Sequence, residues 1–558
     1  MKNILFLVIL VFIGSCKQDI TENTETLRIW EPYDDAADVK ANLDHEKKRM
    51  RYSLIQSKIL DKNDVFLPLY DEVSKMTKES YEALKPLILE QPINTLQNSI
   101  EKGVLTYEKL VLFYLYRIYE HELDNETTLN TVIALNQKVL EEASTLDNMI
   151  KKGTHPEFHH PIYGMPILLK DNINTAGMKT TAGAIALMDN EVEDAFIVKR
   201  LKENGALILG KVNLSEWAYF LCTGCPVGYS AVGGQTMNPY GRGIFETGGS
   251  SSGSGTSVAA NYAVAAVGTE TSGSILSPSS QNSVVGLKPT IGLLSRSGIV
   301  PISSTLDTPG PMTKNVIDNA ILLSAMMGYD ALDDSSTQEQ FPGILSAGLH
   351  PKGFEAMRLG AFSTLMESDS MYRENIEVMR SLGAEVIEFT PPEITMDGFR
   401  SILSIDMRND LPRYLETYTK AKKVKIRTIE DAVMYNSEDS LVRIPYGQAL
   451  FHGILADTTT ASDLEQIKHN LEQNGRSYFD TAMDAHNLDA VLSINNYHAA
   501  YAAVAKYPAL TIPMGYKKSG EPINLTFIGK SFKEAELLRL GAAYEKAFKQ
   551  RKMPVGYH

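Results

Sequence analysis

The chain has 558 residues, 43% of them hydrophobic and 22% charged, which is the composition of a globular protein with a large core. Its formal net charge of −14 excludes a general nucleic-acid binder, because neutralising phosphates requires a basic surface. Three cysteines, Cys16, Cys222 and Cys225, are too few for a disulfide framework.

Lys2 and the apolar run from Ile4 to Ile13 form a charged region followed by a hydrophobic one, too short to span a bilayer permanently. This is the pattern of a secretion signal. The end of the run, Ile13-Gly14-Ser15-Cys16, resembles a bacterial lipoprotein processing site, which implies lipidation of Cys16. Residues 1–16 are therefore assigned to a lipoprotein-type signal peptide, and the protein to the periplasmic or outer face of a bacterial membrane. The only membrane contact expected is the lipid anchor.

Residues 17–41 are polar and acidic without sustained period, as expected of a flexible tether. Residues 42–92 carry helical spacing but no chemical motif and read as an N-terminal helical addition to a main domain over 93–550. In that domain Thr106 can cap a helix whose Leu110, Phe113, Tyr114 and Ile118 recur at helical spacing, an aromatic stripe suited to a core. Short apolar runs such as Ile167-Leu168-Leu169 and Ala206-Leu207-Ile208-Leu209 then alternate with helical stretches and glycine turns. That alternation predicts an α/β fold, a sheet covered by helices. Helix-like segments follow Pro311, and strands are expected at Met357–Phe362 and Ala384–Glu388 around a helix. The region from Ile402 to Asp484 is helical and charged, interrupted at Pro445-Tyr446-Gly447-Gln448, and is expected to wall a substrate cleft. The chain closes with a strand at Asp489–Ile494, a turn from Pro508 to Pro513, and a helix from about Phe532 to Lys549. No internal repeat is present.

The stretch from Thr247 to Thr290 holds the chemistry. A Gly/Ser run is followed by the small apolar segment Val258–Val267, a second Gly/Ser run and Gly286-Leu287-Lys288-Pro289-Thr290. Ser and Gly favour neither a core nor a regular helix, so both runs are expected to be turns that bracket one buried element. A flexible linker does not fit, because the intervening segment is apolar enough to be buried. A phosphate-binding loop fails because no Gly-Lys-Ser or Gly-Lys-Thr follows Gly248 or Gly249. Gly249-Ser250-Ser251-Ser252-Gly253 formally fits the nucleophile elbow of α/β-hydrolases, but Tyr240–Glu246 before it is a poor strand.

Position for position, the stretch resembles the amidase signature family: Gly-Gly-Ser-Ser, a spacer, Gly-Thr-Glu-x-x-Gly-Ser, then Gly-Leu-Lys-Pro-Thr. The likeness extends to Gly164-Met165-Pro166 through Lys170-Asp171-Asn172, to Asn213-Leu214-Ser215-Glu216-Trp217, and to Pro508–Pro513, covering roughly residues 90 to 545. It implies an α/β fold with a large mixed β-sheet flanked by helices on both faces, and a serine amidase with a Ser–cis-Ser–Lys triad: Ser274 as nucleophile, Ser250 bridging across a cis peptide at Gly249–Ser250, and Lys170 as base. An apolar run leads into Lys170, where lost hydration favours the neutral amine. The oxyanion donors implied are the backbone N–H groups of Thr271, Ser272, Gly273 and Ser274, with Ser251, Thr269 and Glu270 in support. Many members carry Arg two residues after the nucleophile, where this chain has Leu276. Glu270 to Ile275 looks more like the bacterial peptide amidases than the glutaminyl-tRNA-forming subunit.

The expected substrate is a small-molecule or peptide amide, including peptide C-terminal amides, with no cofactor, no metal, no nucleic acid and no obligate protein partner. Cys222 and Cys225 are too few thiols for zinc and read as structural. Two alternatives are carried: a catalytically silent surface-anchored binding lipoprotein, which predicts a missing triad member, and an amidotransferase A-type subunit, which would be cytosolic.

Overall fold

The computed structural model describes residues 27, 29–339, 341, 353–355 and 357–558. The signal segment and Cys16 lie outside the described residues. Thirteen strands are present among those described. Eleven form one sheet: β1 Val132–Leu135, β2 Pro166–Lys170, β3 Leu207–Val212, β6 Ala265–Glu270, β7 Val285–Lys288, β8 Thr308–Thr313, β9 Arg358–Phe362, β10 Glu385–Phe389, β11 Ala490–Ile494, β12 Ala509–Tyr516 and β13 Pro522–Ile528. The remaining two, β4 Tyr229–Ser230 and β5 Gly234–Gln235, make a short hairpin. Strand order across the large sheet is β1-β3-β2-β6-β8-β7-β12-β13-β11-β9-β10.

The pairing is mixed. β3, β2 and β6 run parallel, as do β11, β9 and β10, while the middle of the sheet from β6 to β11 is antiparallel. Parallel pairs need helices on both faces, and the residues show it: β2, β3 and β6 are buried at every position instead of alternating. The predicted α/β class, with helices flanking a large mixed sheet, is the fold observed.

Two local expectations are corrected. The first Gly/Ser run is a turn only as far as Ser251: Ser252–Ala259 is a buried helix, and Val258–Val267 is split between that helix and β6. Small side chains let the helix lie close to the sheet, where an added Cβ on Gly268 would meet Ser251 Oγ at 2.9 Å. Its hydroxyls find backbone acceptors, with Ser254 Oγ donating to the Val267 carbonyl at 3.1 Å and Thr256 Oγ1 to that of Ser252 at 3.1 Å. Second, Pro508–Pro513 is no turn but most of β12, whose pairing slips between Pro513 and Gly515. The helix expected after Pro311 is observed at Val316–Met326, and the residues just before it form β8 despite Pro309 and Pro311; β7 pairs with β8 only at Met312 and Thr313, beyond both prolines.

The expected tether is also shorter than read. Leu27 and Trp30 are buried, Trp30 Nε1 donates to Asn125 Oδ1 at 3.0 Å, and a helix spans Ala36–Asn42. An aromatic ring and its N–H that can reach a partner hold the segment down more strongly than its polar composition suggests. Helices Lys62–Val73 and Lys78–Ile88 join the same apolar core as Leu110, Phe113, Tyr114 and Ile118 of the helix Tyr107–Glu122. Thr106 caps that last helix, accepting from the Lys109 N–H at 3.1 Å.

Candidate active site

The site forms where the parallel strands β2 and β6 end side by side. Leu169 is in register with Val267, which brings Lys170, the last residue of β2, beside Thr269 near the end of β6. Carboxyl ends of parallel strands are where α/β sheets bind ligands. Lys170 is fully buried and its Nζ lies 2.8 Å from Ser250 Oγ, 2.8 Å from Thr269 Oγ1 and 3.1 Å from the Thr269 carbonyl. Burial strips its hydration and pushes it down to about 7, against the opposing pull of Asp307 and Glu270. Asn172 Nδ2 donates to the same Thr269 hydroxyl at 3.0 Å.

Ser250 begins the turn into the helix Ser252–Ala259, and the Gly249–Ser250 peptide is cis, as the family resemblance implies. Gly248 (φ +68°) and Gly249 let this turn pack against neighbouring main chain and side chain: added Cβ atoms would meet Pro278 Cα at 2.7 Å and Ser215 Oγ at 2.6 Å. The Ser215 N–H holds the Ser250 carbonyl at 3.0 Å.

Beyond β6 the chain turns through Thr271-Ser272-Gly273-Ser274 into the helix Leu276–Gln281. Glu270 shapes this turn from inside, accepting from the N–H groups of Gly273 (2.6 Å), Ile275 (2.7 Å) and Leu276 (3.0 Å). Ser251 staples it to the other serine turn: its N–H donates to the Ser274 carbonyl at 3.1 Å and its Oγ to the Thr269 carbonyl at 2.9 Å. Lys170 and Ser250 are fully buried, whereas Ser274 keeps 9% exposure and lines a cavity. Of Lys170, Ser250 and Ser274, Ser274 is thus the one that reaches a cavity.

Lys170, Ser250, Ser251, Thr269, Glu270 and Ser274 are linked by the hydrogen bonds just described, with Thr271, Ser272 and Gly273 in the turn between Glu270 and Ser274. One is corrected in detail. Gly273 was expected among the oxyanion donors, but its N–H is held by the Glu270 carboxylate, a stronger acceptor than a neutral carbonyl. Sequence reasoning missed Asp307, which binds the Thr271 hydroxyl and accepts from the N–H groups of Ile302 (2.8 Å) and Ser303 (2.9 Å). Burial pushes it up to about 6. Only its setting among hydroxyls, Ser303-Ser304-Thr305-Leu306-Asp307-Thr308, could have flagged it. Asn172 and Ser215 lay inside motifs already quoted and were passed over as flanking residues.

Two cavities flank the turn from Thr271 to Ser274. The larger, about 590 Å³, is lined by Asn172, Thr269, Asp307 and Tyr414 among others. The smaller, about 370 Å³, is lined by Gly249 and by the turn from Thr271 to Ser274. Residues from the helical stretch Phe399–Tyr418 wall both. At the rim of the smaller one Cys222 and Cys225 are joined by a disulfide. They follow Trp217, Ala218 and Tyr219, three consecutive residues in the left-handed region.

Comparison with known proteins agrees with this fold. The family model described as Amidase matches residues 109–493. A protein of Arabidopsis thaliana described as a probable amidase is 36% identical over 484 residues, covering 84% of this chain and 92% of that protein. The crystal structure of an amidase family protein from Bacillus anthracis superposes with a TM-score of 0.82 at 35% identity, over 90% of this chain and 99% of that one. Native peptide amidase from Stenotrophomonas maltophilia gives 0.77 at 34%, over 84% and 98%. With two serine turns and a buried lysine at the end of a parallel strand pair, the chain belongs to the amidase family of amide-hydrolysing enzymes.

Proposed function

We propose that the protein is a serine amidase that hydrolyses carboxamides, peptide C-terminal amides among them, through Ser274, Ser250 and Lys170. The observation that carries the reading is the contact between Lys170 Nζ and Ser250 Oγ at 2.8 Å in a site that holds the amine near neutrality. A neutral amine has two hydrogens and one lone pair. Its hydrogens go to the Thr269 carbonyl and hydroxyl, and its lone pair then faces Ser250.

In this mechanism Ser274 Oγ attacks the amide carbon, its proton passes to Ser250 Oγ, and the Ser250 proton passes to Lys170. Negative charge on the former carbonyl oxygen is met by the N–H groups of Thr271, Ser272 and Ser274, each such donor worth about 3 kcal/mol in the transition state. When the C–N bond breaks, the relay returns a proton to the departing nitrogen. Water then attacks the acyl-enzyme along the same path, releasing a carboxylate and, from a primary amide, ammonia.

The test is labelling with a fluorophosphonate followed by peptide mass spectrometry. An adduct on Ser274 is expected. An adduct on Ser251 instead would favour the α/β-hydrolase elbow, and no adduct with no amide turnover would favour a binding protein.

We also propose that Cys16 is lipidated and tethers the enzyme outside the cytoplasm. Support comes from the charged and apolar N-terminal run and from the Cys222–Cys225 disulfide, which suits an oxidising compartment. Labelled fatty acid should enter the protein at Cys16 and should not enter Cys16→Ala; a wild-type protein without label contradicts the anchor.

A further inference from the structure

A primary amide releases only ammonia, which needs about the 30 Å³ of a water molecule. The site offers much more than that on both sides of the nucleophile turn. The cavities of about 590 and 370 Å³ abut across Ala218, Thr271 and Ile302, residues that line both. Two groups, one on each side of the scissile bond, therefore have room.

Proton delivery decides which group goes where. The departing nitrogen must face the hydroxyl that protonates it, and in the proposed mechanism that hydroxyl is Ser250. Gly249, bonded to Ser250, lines the smaller cavity and not the larger. The leaving amine accordingly belongs in the smaller cavity and the acyl group in the larger.

The smaller cavity has a definite charge. Its ionisable lining residues are Arg49, Glu246 and Arg400. Arg49 and Glu246 neutralise each other in an ion pair at 3.3 Å. Arg400, at the start of the helix Phe399–Tyr418, is exposed and has no ion-pair partner among the described residues. Phe220, Val227, Leu403 and Leu450 add an apolar side, beside the hydroxyls of Thr223, Thr271 and Ser277. A cavity with an apolar side and one exposed, unpaired guanidinium in its lining suits an apolar stem that ends in a carboxylate.

We propose that the enzyme cleaves secondary amides whose leaving amine carries a carboxylate, that is, N-acyl or N-aminoacyl amino acids, with the carboxylate at Arg400. The proposal rests on the Ser274 amidase reading. The step balances as hydrolysis: the acyl carbon bonds to Ser274 Oγ, the C–N bond breaks, and the amine leaves with the relayed proton. Water then frees the carboxylic acid and restores Ser274.

The experiment measures kcat/KM for a panel of acyl groups, each as the primary amide, the N-methyl amide and the N-carboxymethyl amide. The expected order places carboxymethyl above methyl, with the preference falling about fivefold in Arg400→Ala and surviving in Arg400→Lys, the size expected of one exposed charge pair. The preference should also weaken at high salt. Equal turnover of methyl and carboxymethyl amides, unaffected at Arg400, overturns the carboxylate assignment. Turnover of primary amides alone overturns the two-sided cleft while leaving the amidase reading intact. If no amide of any kind is turned over, the proposal fails, and fluorophosphonate labelling of Ser274 then decides whether the amidase reading fails with it.

Discussion

Lys170 sets the pH dependence at the scale of single residues. With the amine held at about 7, kcat should rise with pH through that region, because the protonated form cannot accept a proton. Asp307, itself about 6, favours the charged amine. Asp307→Asn removes that pull, so the rising limb should move to lower pH; a limb that stays in place would show that Asp307 does not act on Lys170. Lys170→Arg, permanently charged, should be as inactive as Lys170→Ala. The three positions of the proposed triad could be singled out because the motif spacing survives intact around Gly248-Gly249 and Gly273. Asp307 was not legible, since its role comes from its place just before β8, where it meets the Thr271 hydroxyl, a contact 36 positions away in sequence.

At the scale of elements, the two serine turns depend on what packs behind them. Gly248→Ala places a Cβ 2.7 Å from Pro278 main chain at a positive φ, so it should destabilise the fold by about 1–3 kcal/mol and lower kcat as Ser250 shifts. Thermal unfolding and kcat of this variant both at wild-type values would contradict the close packing. Just past Lys170, the buried pair Lys211–Asp171 at 3.1 Å fixes the turn out of β2, with Lys211 Nζ also donating to the Ile173 carbonyl at 2.7 Å. Lys211→Met leaves a buried carboxylate unpaired and should cost about 3–5 kcal/mol in denaturant unfolding; a loss under about 1 kcal/mol would mean that the pair is dispensable. Strands β2, β3, β9, β10 and β11 were legible as apolar runs of the right length. Strands β8 and β12 were not, because proline argues against an interior strand and only the neighbours' registers reveal where its missing donor is harmless. The helix Ser252–Ala259 defied propensity because tertiary packing favours its small residues over better helix formers.

For the whole molecule, the disulfide closes only a short loop, its cysteines three positions apart, so Cys222→Ser with Cys225→Ser should cost about 2 kcal/mol at most. The turnover number for a primary amide should stay near wild type; a loss of several orders of magnitude would mean that this rim takes part in the chemistry. The packed N-terminal segment escaped the sequence because a single buried Trp30 does not alter a polar composition, whereas the α/β architecture was legible from apolar runs spread over the whole chain. The account rests on Lys170, Ser250 and Ser274 sharing one proton path, and the most direct test is kcat for each alanine variant and for the triple variant. Each single substitution should cost on the order of a thousandfold or more, and the triple little beyond that. Losses that add across the three positions would contradict the relay.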